Sequence, residues 1–178
     1  MNLSKLFPIQ KKLDDRIEKE KGLEGQDLLN KKILALLVEL GELANEWRGF
    51  KFWSEDQEPR TEIFITSPKS NEPLVVRKNP LLEEYVDCLH FILSIGLDLG
   101  LEEQTAHSFK NGNSILGQFQ SIYNELSSLF YHRQMYNYQK ALNLIIGLGE
   151  MLGFTWEEVE QAYYAKNKVN HERQKNGY

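Results

Sequence analysis

The sequence predicts an all-α fold, and three observations carry it. Apolar residues recur at spacings of three and four over most of the 178 residues. Helix start and stop signals punctuate those runs, and only one stretch carries β-type patterning. Residues 3–20 place Leu6, Ile9, Leu13 and Ile17 on one face of a first helix. After the GLEGQD break, a second helix is predicted over 28–47. Asn79-Pro80, an N-cap residue with proline at the first helical position, opens a third that ends near Gly100. Two more cover about 114–131 and 138–152 across short polar links. The last starts at Thr155-Trp156-Glu157-Glu158, which fits a capping box, and runs toward Gln174. Residues 54–79 are rich in Pro, Ser and charge but contain EIFIT and PLVVR, so a small hairpin-like insertion is expected there. There is no internal repeat. The expectation is one all-α helical-bundle domain spanning residues 1–178.

Composition narrows the function classes. At 41% hydrophobic and 26% charged, with 12 Gly and 5 Pro, the chain is neither disordered nor fibrous. A net charge of −5 argues against binding the phosphate backbone of nucleic acid. Cys88 is the one cysteine, which excludes an internal disulfide and a thiolate zinc site; packing is its expected role. The start, MNLSKLFPIQKKLDD, lacks a secretory apolar core, and no run approaches the ~20 apolar residues of a membrane span. A reduced, cytoplasmic protein with no membrane or nucleic-acid partner is expected.

The informative residues are carboxylates. Glu39, Glu42 and Glu46 lie within roughly 60° of one another on the second helix, whose other faces are largely apolar. Glu84 and Asp87 repeat the i, i+3 spacing on the third helix, among Leu81, Leu82, Tyr85, Val86, Cys88 and Leu89. Packed side by side, the two helices would gather four acids. Buried carboxylates repel one another and lose hydration, so they protonate or find a cation. All-oxygen ligands select Mg²⁺ or Mn²⁺ over zinc, and Mg²⁺ with few carboxylates points to chemistry on nucleotide phosphates. Solvated faces, or salt bridges across a bundle, are the alternative. Glu46 and Glu83 fit either an outer supporting role or solvent.

On the last helix, Lys166, Asn170 and Arg173 project within about 60° of one another, with Tyr163 adjoining. Cations, an amide and a phenol on one stripe suit polyphosphate oxygens, which Arg engages bidentately. A solvated terminal helix is the alternative on spacing alone.

ELGE at 39–42 and EYVD at 84–87 resemble the E-x-x-E … E-x-x-D signature of the all-α nucleoside triphosphate pyrophosphohydrolases. Within that superfamily, ALLVELGELANEWRGFKFWS, LLEEYVDCLHFILSIGL and YYAKNKVNHERQKNGY are closely similar to the dimeric deoxyuridine triphosphatases. The resemblance covers most of the chain. It implies an α-helical homodimer that uses Mg²⁺, with Mn²⁺ a substitute, to convert dUTP to dUMP and pyrophosphate, and that also accepts dUDP. It implies metal ligation by Glu39, Glu42, Glu84 and Asp87, with Glu42, or else Glu39, taking a proton from the attacking water. By analogy with the relatives, attack falls on the β-phosphorus. The Y-x-x-K-x-x-x-N-x-x-R … G-Y pattern implies phosphate contacts by Tyr163, Lys166, Asn170 and Arg173, with Tyr178 closing over the nucleotide. Gln10, Trp53, His90 and Phe91 become candidates for the base, by stacking and by hydrogen bonds to its imide edge. Without the family, Phe91 and His90 read as core, and Trp53 as packing at the end of the second helix. Two departures stand out. Asp14 replaces the Asn that relatives often carry near this position, and the 54–79 stretch lengthens the spacing between the acidic pairs. A relative acting on dCTP or another nucleotide, and a non-enzymatic helical interaction module, are the competing readings.

Overall fold

The computed structural model describes residues 3–67, 74–102, 106–112 and 114–177. Six helices and one two-stranded sheet make up these residues: α1 (Leu6–Lys21), α2 (Leu29–Trp47), β1 (Ile63–Ser67), β2 (Leu74–Lys78), α3 (Pro80–Asp98), α4 (Ile115–His132), α5 (Met135–Met151) and α6 (Trp156–Lys175). The all-α class holds, and the strands fall inside the expected excursion. They pair antiparallel, with Ile63 opposite Lys78 and Ser67 opposite Leu74.

Helix ends follow local chemistry where a cap is written in the sequence. The Asn79 side chain accepts from the Leu82 amide at 3.0 Å, ahead of Pro80. Thr155 and Glu158 form the reciprocal capping box that starts α6. Boundaries shift where no such cap exists. α1 begins at Leu6 rather than residue 3, with Lys5 as an N-cap that makes no side-chain bond. α5 begins at Met135 rather than 138, because Arg133 adopts a left-handed conformation that ends α4 and the chain re-enters a helix almost at once.

α3 is the central helix. Tyr85, Val86, Cys88, Leu89, Ile92, Leu93 and Ile95 are buried along it, and α1, α2, α5 and α6 pack around it. α4 covers α5 and α2. Two glycines allow the tightest crossings: a side chain at Gly96 would meet the Tyr138 phenol, and one at Gly149 the Tyr85 ring. Cys88 is buried, as expected for a packing residue. Among the described residues, no helix is long and apolar enough to cross a membrane.

This arrangement aims the acidic faces of α2 and α3 at each other. It also packs α1 and α6 against α3 and against each other.

Candidate active site

Packing of α2 on α3 brings Glu39, Glu42 and Glu84 together, with one carboxylate oxygen of each within 4.8 Å of the others. Glu42 is exposed, whereas Glu39 and Glu84 are half-buried. Burial, then the charges of Asp87 and Glu42, pushes both the Glu39 and the Glu84 carboxyl up from 4.5 to about 7. Three hard oxygen donors, two of which resist carrying their own charge, are a fit for one divalent cation.

Asp87, the fourth expected ligand, does not join that set. Its Oδ2 accepts from Lys166 of α6, which closes an ion pair across the helix interface. Burial raises the Asp87 pKa even so, outweighing Lys166 and Arg173. The cation on α6 therefore already lies against the acids.

A cleft of about 360 Å³ runs from this point between α1, α3 and α6. Glu39, Asp87, Asn170 and Arg173 line it together with Gln10, Asp14, His90, Phe91 and Ser94. Arg173 lies close enough to pull down the pKa values of both Glu39 and Asp87. Residues 160 positions apart in the chain thus share one concave site, with acids, cations and a partly apolar wall.

The polar wall is tightly wired. Gln10 Nε2 donates to Asp14 Oδ1 at 2.7 Å, and Tyr163 donates to Gln10 Oε1 at 2.6 Å. His90 Nδ1 meets that same oxygen at 2.7 Å, and its ring stacks on Tyr163 at 4.0 Å. Burial, helped by the Lys166 charge, drives the His90 pKa down to about 3, so the imidazole is neutral.

The dUTPase_2 family model, described as dUTPase, matches residues 2–66 and 70–178. The chain belongs to this all-α dUTPase family. Family membership carries dUTP diphosphatase activity and a nucleotide substrate. No curated protein matches the chain.

Within a dUTPase the residues singled out from sequence fall into three groups besides Lys166, which pairs with Asp87. Glu39, Asp87, Gln10, His90, Phe91, Asn170 and Arg173 share the cleft, and Glu42 and Glu84 adjoin it through the acid cluster. Tyr163 and Trp53 are not among the residues that line the cleft. Tyr163 is fully buried, its hydroxyl spent on Gln10, because it faces α1 and α3 from the inner edge of α6. Trp53 is 65% exposed, edge-on to Phe50 and Phe52 in the loop after α2. Tyr178 lies outside the described residues. Glu46 is not in the cluster but pairs with Arg60 at 3.2 Å, and Glu83 pairs with Lys78 at 3.5 Å.

Sequence reasoning missed Ser94, Lys32 and Gln174 as part of the cleft wall. Only Ser94 had a signal: it is a lone hydroxyl in the apolar run of α3, one turn beyond His90.

Proposed function

We propose that this dUTPase-family cleft converts dUTP to dUMP and pyrophosphate, and dUDP to dUMP and phosphate, with Mg²⁺ or, in its place, Mn²⁺. The observation that carries this is the single cleft that Glu39, Asp87 and Arg173 line together with Gln10, His90 and Phe91. Glu39, Glu42 and Glu84 would hold the ion, with Asp87 joining them once Lys166 turns to the phosphates. The ion supplies positive charge to the phosphate oxygens and acidity to a bound water.

The chain's own residues do the rest. Glu42, or else Glu39, accepts the proton of the attacking water; a carboxyl pushed up to about 7, as at Glu39, is near the ideal for a base at neutral pH. The water oxygen bonds to the β-phosphorus, the bond from that phosphorus to the oxygen shared with the α-phosphate breaks, and dUMP leaves. Attack at that atom accounts for both products, since the phosphorus that gains the water oxygen is released in pyrophosphate from dUTP and in phosphate from dUDP. Lys166, Asn170 and Arg173 stand at one-turn spacings on α6 and bind the polyphosphate oxygens. Phe91 offers a face to the base, and Gln10 and His90 its polar edge. Leu34 and Val38, one turn apart on α2 and 60% and 52% exposed, support a homodimer that covers them.

³¹P NMR of dUTP, dUDP and dCTP in H₂¹⁸O, with Mg²⁺ or with EDTA, tests this reading. Mg²⁺-dependent dUMP formation from dUTP and dUDP, with the label in pyrophosphate or phosphate, is expected. Label in dUMP, or dCTP turned over faster than dUTP, would refute it.

A further inference from the structure

Asp14 stands one turn after Gln10 on α1, and its carboxylate is used at both oxygens. Oδ1 accepts from Gln10 Nε2 at 2.7 Å, and Oδ2 accepts from Ser94 Oγ at 2.6 Å. Lys32 Nζ lies 3.9 Å from Oδ2 and also contacts Asp98 at 2.5 Å and Glu18 at 3.8 Å, so α1, α2 and α3 converge on this group. An ionised carboxylate accepts and cannot donate. The Gln10 amide is therefore held with its nitrogen toward Asp14 and its oxygen toward Tyr163 and His90.

That orientation propagates. An amide oxygen only accepts, so the His90 Nδ1 at 2.7 Å from it carries the ring proton. His90 Nε2 is then a bare lone pair. This atom is buried with no hydrogen-bond partner among the described residues, on a side chain that is 5% exposed and borders the cleft. A buried acceptor left without a donor is costly, and a ligand N–H would relieve it.

We infer that Asp14 is a positioning residue: acting through the Gln10 amide, it fixes the His90 tautomer and makes this wall of the cleft select a base that bears a proton at ring N3. Uracil presents N3–H there, whereas cytosine presents a lone pair. The selectivity half rests on the nucleotide reading above; the tautomer half does not.

Long-range ¹H–¹⁵N NMR of His90 in the nucleotide-free protein reads the tautomer directly. Wild type shows Nδ1–H alone. Asp14→Leu, which removes the acceptor, and Asp14→Asn, which lets the Gln10 amide sit either way round, are each expected to give a mixture. In the same variants the ratio of kcat/KM for dUTP over dCTP should fall roughly 10-fold, the discrimination of about one hydrogen bond. If either folded variant keeps Nδ1–H alone, the positioning role is overturned. A mixed tautomer with an unchanged nucleotide ratio overturns the selectivity role. Wild type that fails to turn over dUTP would sink the proposed function instead, and the tautomer result would stand apart from it.

Discussion

Replacing Glu84 with Gln probes the acid cluster through stability as well as turnover. The Glu84 carboxyl rises from 4.5 to about 7 on folding, because it is half-buried beside Asp87, Glu42 and Glu39. The folded state thus holds that proton more tightly than the unfolded chain does. Ionising it destabilises the metal-free fold, and the penalty is absent below pH 4.5, grows as pH rises, and is complete above about 7. The full rise corresponds to about 3 kcal/mol. Solvent at this partly open site and coupling to Glu39 reduce that to roughly 1–2 kcal/mol. Glu84→Gln keeps the shape and removes the charge. In EDTA it should be more stable than wild type at pH 8 by that amount, roughly 2–8 °C in Tm, and unchanged at pH 4.5. Turnover of dUTP with saturating Mg²⁺ should fall at least ~100-fold, the scale of losing one key electrostatic group. Thermal melts at both pH values and a pyrophosphate-release assay supply the numbers. A variant that is no more stable than wild type at pH 8, or one that keeps wild-type turnover, would refute the reasoning.

Three further outcomes follow from the same geometry. Phe91→Ala should weaken dUTP binding by roughly 1–3 kcal/mol as stacking is lost. Its ring is only half-buried, so stability should fall by less than the ~3–5 kcal/mol cost of a full core Phe; KM and a melt on one sample separate the two. Arg173→Ala should lower kcat/KM by the equivalent of about 2–4 kcal/mol, read by steady-state kinetics, with the melting temperature little changed. Gly149→Ala drives a methyl into the Tyr85 ring and should destabilise by about 1–3 kcal/mol in urea unfolding, without touching the cleft.

What was legible in the sequence was local. α3 and α6 start where Asn79-Pro80 and Thr155…Glu158 place them, since a cap is satisfied within four residues. The acids of α2 and α3 were visible because carboxylates at i, i+3 contradict the apolar helices that carry them. The start of α5 was not, because Met135 and Tyr136 are exposed and leave no periodic trace. Contacts that depend on how helices cross were equally hidden. Lys166 engages Asp87 only because α6 lies on α3, and Tyr163 turns inward although its spacing sets it beside the cationic stripe. Asp14 and Ser94 are 80 residues apart, so neither reveals the other. Trp53 follows the same logic: its loop is fixed by Arg48, buried and bonded to the Asp56 carbonyl at 2.6 Å, and that leaves the indole outside.

The central claim is that the facing acids of α2 and α3 hold the catalytic cation. Titrating Mn²⁺ into the ¹⁵N-labelled protein and following paramagnetic broadening of amide signals tests it most directly. Residues 39–42 and 84–87 should broaden first, at sub-stoichiometric Mn²⁺, and Glu39→Gln with Glu84→Gln should abolish the effect while the rest of the spectrum stays folded. Broadening centred elsewhere, or an unchanged response in that double variant, would contradict the account.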